Sequence, residues 1–271
     1  MSAGTMNAVT GTDTRTTTSP AARLKALARA ELTLLGRSKA ALFTALFLPV
    51  MLTFSMYGAL NDQLKLQGTG LSIGTVLLPA AIGMALLFAV YSNLVGVFVT
   101  RREELVLKRL RVGEPTDVEI LAGTALPAVL IALAQTVLYV FVGGPYFKVG
   151  MPKAPHLMVA GLLIGLVLMV TLAAASAAVT RTTEAAQLTP FPMIMLSLVA
   201  SGMYVPMEVM PDEVARVLGL LPLSPVIALL RDGWAGGASL GETLKHLVIG
   251  LVWIGLGVFA VRRWFRWEPR R

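Results

Sequence analysis

The sequence predicts an all-α integral membrane protein: six transmembrane helices, an N-terminal amphipathic interfacial helix, and a re-entrant helical hairpin between spans five and six. Three observations carry that fold class. Of 271 residues, 56% are hydrophobic and only 14% charged, whereas an ordinary soluble domain is about a quarter charged. The charges are clustered and leave long runs without any. Six of those runs reach or approach the roughly 20 apolar residues that cross a bilayer. This composition excludes a disordered chain and a conventional soluble enzyme. The net charge of +8 is what loops beside a membrane produce, so it implies no nucleic-acid partner. With no cysteine, there is no disulfide framework, thiolate metal site or cysteine nucleophile.

Residues 1–18 are rich in Ser, Thr and Gly and read as a disordered leader without a signal-peptide core. A helix over 19–38 opens at Ser19-Pro20, an N-cap followed by proline at the first helical position. At 100° per residue, Leu24, Leu27, Ala28, Leu32, Leu34 and Leu35 share one face, and Arg23, Lys25, Arg29 and Arg37 the other. That is the pattern of a helix lying in the membrane interface, with Glu31 falling inside the apolar stripe.

The expected spans are 40–61, 75–100, 120–143, 156–180, 185–205 and 243–262, within one transmembrane domain over 39–263. The fifth contains Pro190 and Pro192. The sixth is short, but flanking Lys and Arg can snorkel, and Trp264 and Trp267 suit an interfacial belt. A further apolar run, 217–230, is interrupted by Pro222 and Pro225 and is too short to cross, which fits the re-entrant hairpin. Residues 264–271 form a basic tail.

Orientation follows from the loop cations. With both termini inside, most of the 23 Lys and Arg lie on the cytoplasmic side, and the outside holds only Lys65, Lys148, Lys153, Arg216, Arg231 and Lys245.

The longest charged stretch follows the second span: Arg101, Arg102, Glu103, Glu104, Lys108, Arg109 and Arg111. Leu105, Leu107 and Leu110 alternate with these charges on a short helix that Gly113 and Pro115 end. By charge alone it is a solvated positive-inside loop.

There is no G-x-x-x-x-G-K-[ST] phosphate loop, so the chain does not bind ATP by that device. Residues 255–260 loosely fit a dinucleotide fingerprint, but inside an apolar span they read as helix packing; Gly161 and Gly165 form a G-x-x-x-G pattern that lets helices approach closely. His156 and His246 have no ligand partner at i+4, so no metal site is expected. Gly70-Leu71-Ser72-Ile73-Gly74 has the form of a nucleophile elbow, and an intramembrane serine hydrolase using Ser72 and His246 is the enzymatic alternative. No Asp, Glu, Lys or Arg lies deep in any span, which argues against proton or sodium coupling, although an ATP-independent carrier stays open. The deep polar residues include Asn93, Gln135 and Ser197, which either bond between helices or line a path for an amphipathic substrate.

The order of these features resembles the type-2 ABC-transporter permease family, in its bacterial drug- and lipid-exporter branch. Ala28 to Glu31 followed by Leu48-Pro49 is similar to that family's entry helix and proline-bearing first span. Arg102-Glu103, Leu107-Lys108-Arg109-Leu110, Pro115 and Glu119-Ile120-Leu121 resemble its coupling loop, with Leu105 where a small residue, often glycine, is expected. Ser201-Gly202, Pro206, Met210-Pro211, Pro222-Leu223-Ser224-Pro225 and Leu230-Arg231 resemble its external re-entrant segment.

The resemblance implies a non-enzymatic permease subunit of an exporter in a bacterial plasma membrane, pairing with a second permease copy and two separate ATP-binding subunits. ATP and Mg would sit on those subunits, with no cofactor on this chain. Its substrate would be a drug-, antibiotic- or lipid-like small molecule. Arg101 to Arg111 would then touch the ATPase, with the 19–38 helix beside it.

Overall fold

The computed structural model describes residues 19–268 apart from 38, 64–72, 148–149, 204–206 and 208–209. The leader 1–18, Ser72 and Pro206 lie outside the described residues, as do the side chains of Glu31 and Arg37. All regular structure among the described residues is helical.

Helix α1 (Pro20–Arg37) is capped by Ser19, whose Oγ accepts the Ala22 N–H at 3.3 Å. Helix α2 (Lys39–Gln63) contains Pro49, and α3 (Ile73–Ala85) contains Pro79. A π-helical segment (Leu86–Ser92) joins α3 to α4 (Asn93–Glu103). The short α5 (Val106–Arg111) precedes α6 (Asp117–Leu138), which runs through a second π-helical segment (Tyr139–Gly143) into α7 (Gly144–Tyr146). There follow α8 (Pro155–Val179), α9 (Thr183–Leu188), α10 (Phe191–Ala200), α11 (Asp212–Leu218), α12 (Ser224–Ala235) and α13 (Leu240–Trp264).

Four helical stretches among the described residues are long and apolar enough to cross a membrane: Gly74–Glu103, Asp117–Tyr146, Pro155–Val179 and Leu240–Trp264. They coincide with the expected second, third, fourth and sixth spans. The expected fifth span, 185–205, is instead divided into α9 and α10 at Thr189 and Pro190. Pro190 and Pro192 lack the N–H groups that would continue the helical ladder, while Thr189 and Pro190 keep right-handed helical dihedrals. The run read as a re-entrant hairpin is a helix-turn-helix of α11 and α12, and α12 is buried along most of its length.

The bundle is organised on α8, against which α12, α13, α4 and the first π-helical segment pack. Small residues permit the close approach. A Cβ added at Gly161 would stand 2.9 Å from Leu229 Cβ, and one at Gly233 would stand 2.5 Å from the Met158 backbone N. Gly257 meets Thr171 of α8 in the same way, at 2.8 Å from its Oγ1, whereas Gly255 faces open space. The fingerprint-like 255–260 run is therefore packing surface. In membranes, where apolar side chains gain little by leaving lipid, this backbone proximity is the main source of helix association. The outward faces of α2, α6, the second π-helical segment, α10 and α13 carry exposed Phe43, Phe47, Val137, Phe141, Phe191, Val199, Val248 and Phe259, as expected of surfaces facing lipid or another apolar partner.

Candidate functional site

The charged stretch after the second span becomes a compact structure at one end of the bundle. It begins at Arg102 in the last turn of α4, which is 1% exposed. Its Nη1 donates to the Ala177 carbonyl at 2.8 Å, and its Nη2 donates to the carbonyls of Thr180 and Arg181. The last carbonyls of an α-helix have no partner within the helix and form the negative end of its dipole. Arg102 is therefore a side-chain cap for the end of α8. Arg102, which the resemblance placed among the coupling residues, turns its guanidinium inward onto the end of α8.

The chain then reverses through Leu105, whose φ of +60° and ψ of +13° make it the one non-glycine residue in the left-handed region among the described residues. For an L-residue that conformation costs about 1–2 kcal/mol, because Cβ crowds the carbonyl. The expectation of a small residue at this position thus matches the backbone that the position adopts.

Leu107, fully buried, anchors α5 to the bundle, and Lys108, Arg109 and Arg111 are left exposed. Arg101 and Glu104 pair locally at 3.1 Å, with Glu104 exposed and Glu103 half-buried. Three neighbours hold α5 in place. Arg111 Nε bonds Asp117 at 3.1 Å at the start of α6. The same guanidinium lies 5.0 Å above the Trp267 ring. Lys108 Nζ reaches Glu268 at 2.8 Å. The tail is itself seated by Phe265, edge-on to buried Phe98 at 6.3 Å.

Helix α1 joins this end through α6. Thr116 caps α6 in a reciprocal box: its Oγ1 accepts the Glu119 N–H, and its own N–H donates to Glu119 Oε2 at 2.8 Å. Arg23 of α1 then closes on Glu119 at 2.9 Å and on Glu114 at 3.7 Å. Leu27, one turn along, lies where a Cβ on Gly123 would sit. Lys25 and Arg29 are exposed on the other face of α1, as the sequence predicts. The end of the bundle thus presents Lys25, Arg29, Lys108 and Arg109 outward from two helices tied to one helix start.

The residues expected to line a substrate path lie on three different helices, Asn93 on α4, Gln135 on α6 and Ser197 on α10. Gln135 is buried, and its Nε2 donates to the Leu46 carbonyl at 3.0 Å, in the turn of α2 that Pro49 weakens. Asn93 Nδ2 bonds back to Ala89 O at 3.4 Å across the π-helical segment, and the nearby Tyr91 hydroxyl meets Ser176 Oγ at 3.0 Å. Ser197 is buried in α10, where its carbonyl accepts from the Ser201 N–H at 3.1 Å. For Gln135 the bond runs between helices, and for Asn93 it is local.

At the opposite end, Pro211 precedes α11, Pro222 lies in the buried turn, and Pro225 sits in the first turn of α12. Arg231 is buried, and its Nη2 donates to the Gly202 carbonyl at 2.6 Å, with Gly202 at φ +76°. Ser224 Oγ donates to Leu218 O at 2.6 Å, closing the helix-turn-helix. His246 Nδ1 stands 3.8 Å from Asp232, but its proposed nucleophile Ser72 is outside the described residues. Glu184 lies in the first turn of α9, which Thr182 caps by accepting the Ala185 N–H on its hydroxyl at 3.2 Å.

Comparison with known proteins adds one match. A family model described as ABC-2 type transporter matches residues 22–233, more than half of the chain, including α5 and most of α12. No curated protein matches the chain.

Proposed function

The chain belongs to the ABC-2 type transporter family, and from that membership we propose the permease subunit of an ATP-driven exporter. Two separately encoded ATP-binding subunits carry the ATP and Mg, and a second permease copy completes the path. The assembly sits in a bacterial plasma membrane with both termini cytoplasmic. The chain crosses six times, with α2 as the first span and α9 and α10 together as the fifth, and α11–α12 forms the re-entrant element outside. Positive-inside loops support that orientation, and the helical dihedrals kept through Thr189 and Pro190 support a single broken fifth span.

The observation that carries this reading is α5. It is a short helix anchored by one buried leucine, exposing Lys108 and Arg109 directly beyond the most buried span. A partner pushing on α5 moves α4 through Leu105, α8 through the Arg102 cap, and α6 through Arg111 and Asp117. Closure of the ATPase pair would thereby bias the bundle between two arrangements, as coupling requires. Between their ends the long apolar helices carry no Asp, Glu, Lys or Arg, only amide and hydroxyl groups, which suits a drug-like or lipid-like amphipathic substrate.

Co-expression with candidate ATP-binding subunits, followed by purification, tests the proposal. A stable complex with substrate-stimulated, vanadate-sensitive ATP hydrolysis is expected. No complex with any candidate would contradict it.

A further inference from the structure

A cavity of about 620 Å³ lies between the start of α6, the second half of α8 and the end of α13. Its wall is apolar, built from Val118, Leu121, Val170, Val258, Val261 and Phe265. Its rim is basic and aromatic, with Arg262, Arg111 and Trp267. Asp117 also lines it, but its carboxylate is matched by Arg111. Arg262 is exposed and has no carboxylate partner among the described residues, so it is the cation left for an incoming anion.

We infer that this cavity binds one anionic phospholipid, its acyl chain against α6, α8 and α13 and its phosphate on Arg262. The volume is that of a ligand site, which commonly runs about 300–1,000 Å³. Basic pockets between transmembrane helices on the cytoplasmic side are where acidic headgroups settle, and Trp267 is an amphipathic ring of the kind that marks headgroup depth. An apolar wall beneath a single unmatched cation fits a molecule with one charged end and a hydrocarbon body; a soluble anion would leave the wall wet. The lipid would also touch α5 through Arg111 and the tail through Trp267, both of which hold the coupling end together.

The inference rests on the cytoplasmic placement of α5 and the tail proposed above, and the two are tested separately. Purified protein in detergent is offered phosphatidylglycerol or phosphatidylcholine with matched chains, and retained lipid is counted by native mass spectrometry. Phosphatidylglycerol is expected to be retained in preference. Arg262→Gln lowers its retention about tenfold, the loss of one charge-assisted hydrogen bond. Arg263→Gln, the same charge change on an exposed neighbour outside the cavity, leaves retention unchanged. Val258→Trp, which fills the cavity, abolishes it in protein that elutes and melts normally. Glycerol 3-phosphate, the headgroup chemistry without a chain, fails to compete.

Equal retention of the two lipids, equal losses from the two Arg substitutions, or competition by glycerol 3-phosphate each overturns the site. Arg266→Cys, unique in a chain without cysteine, reports the orientation. Labelling of intact cells by an impermeant maleimide would overturn the cytoplasmic placement without touching the binding result.

Discussion

Arg102 donates to the Ala177 carbonyl at 2.8 Å from a side chain that is 1% exposed, fastening the end of α4 to the end of α8. Two further carbonyls, of Thr180 and Arg181, accept from the same guanidinium. Removing it leaves buried acceptors unmatched and a cavity in their place. Arg102→Ala is expected to cost about 3 kcal/mol, read as a fall in unfolding temperature in detergent. Arg102→Lys, which offers one ammonium for a forked guanidinium, recovers only part of the loss. An unchanged unfolding temperature in Arg102→Ala would refute the cap.

Lys108 and Arg109 differ from Arg102 in kind. Both are exposed, and the Lys108–Glu268 pair has both side chains more than half exposed. Such a pair contributes no more than about 1 kcal/mol. Lys108→Glu with Arg109→Glu is therefore expected to leave unfolding temperature nearly unchanged while sharply weakening co-purification of an ATP-binding subunit. Loss of stability with the complex intact would reverse that assignment.

Leu105 sits at φ +60° with its side chain partly exposed. Leu105→Gly relieves the left-handed strain and gives up little packing, so it should raise stability by about 1 kcal/mol. Thermal unfolding of Leu105→Gly against wild type measures this, and Leu105→Ala, which keeps the Cβ, should show no gain.

Gly161 is the contact through which α12 lies directly on α8. Gly161→Leu must separate the two helices, with an expected cost of about 2–3 kcal/mol. Gly255→Leu, on the open side of α13, should cost almost nothing. Paired unfolding curves for the two variants separate close packing from general intolerance of a larger side chain.

Legibility from sequence followed the range of the interactions involved. The Ser19 cap and the long spans have local signatures, cap chemistry and apolar length; the T-x-x-E spacing of the Thr116–Glu119 box is another, although only the structure brought it out. That Arg23 closes on the same Glu119 from 96 positions away is not local, and no spacing rule announces it. The burial of Arg102 is hidden for the same reason. A cation just past an apolar run reads as a solvated loop charge until the end of α8 is placed beside it. The polar residues Asn93 and Gln135 are visible as deep polar groups, but whether they face a path or a neighbouring backbone depends on the π-helical turn and on Pro49 of another helix. The fifth span failed as a continuous helix at a place the sequence marks, Pro190 and Pro192, although its division into two pieces needs the backbone.

The role of α5 as the docking element is tested most directly by cross-linking. The chain has no cysteine, so Arg109→Cys and Arg216→Cys each provide one attachment point, at opposite ends of the bundle. In membranes containing the cognate ATP-binding subunit, a short bifunctional maleimide is expected to join that subunit to position 109, with a yield that changes on adding ATP and vanadate. Position 216 should give no such product. Cross-linking from 216 and none from 109 would contradict the assignment of α5.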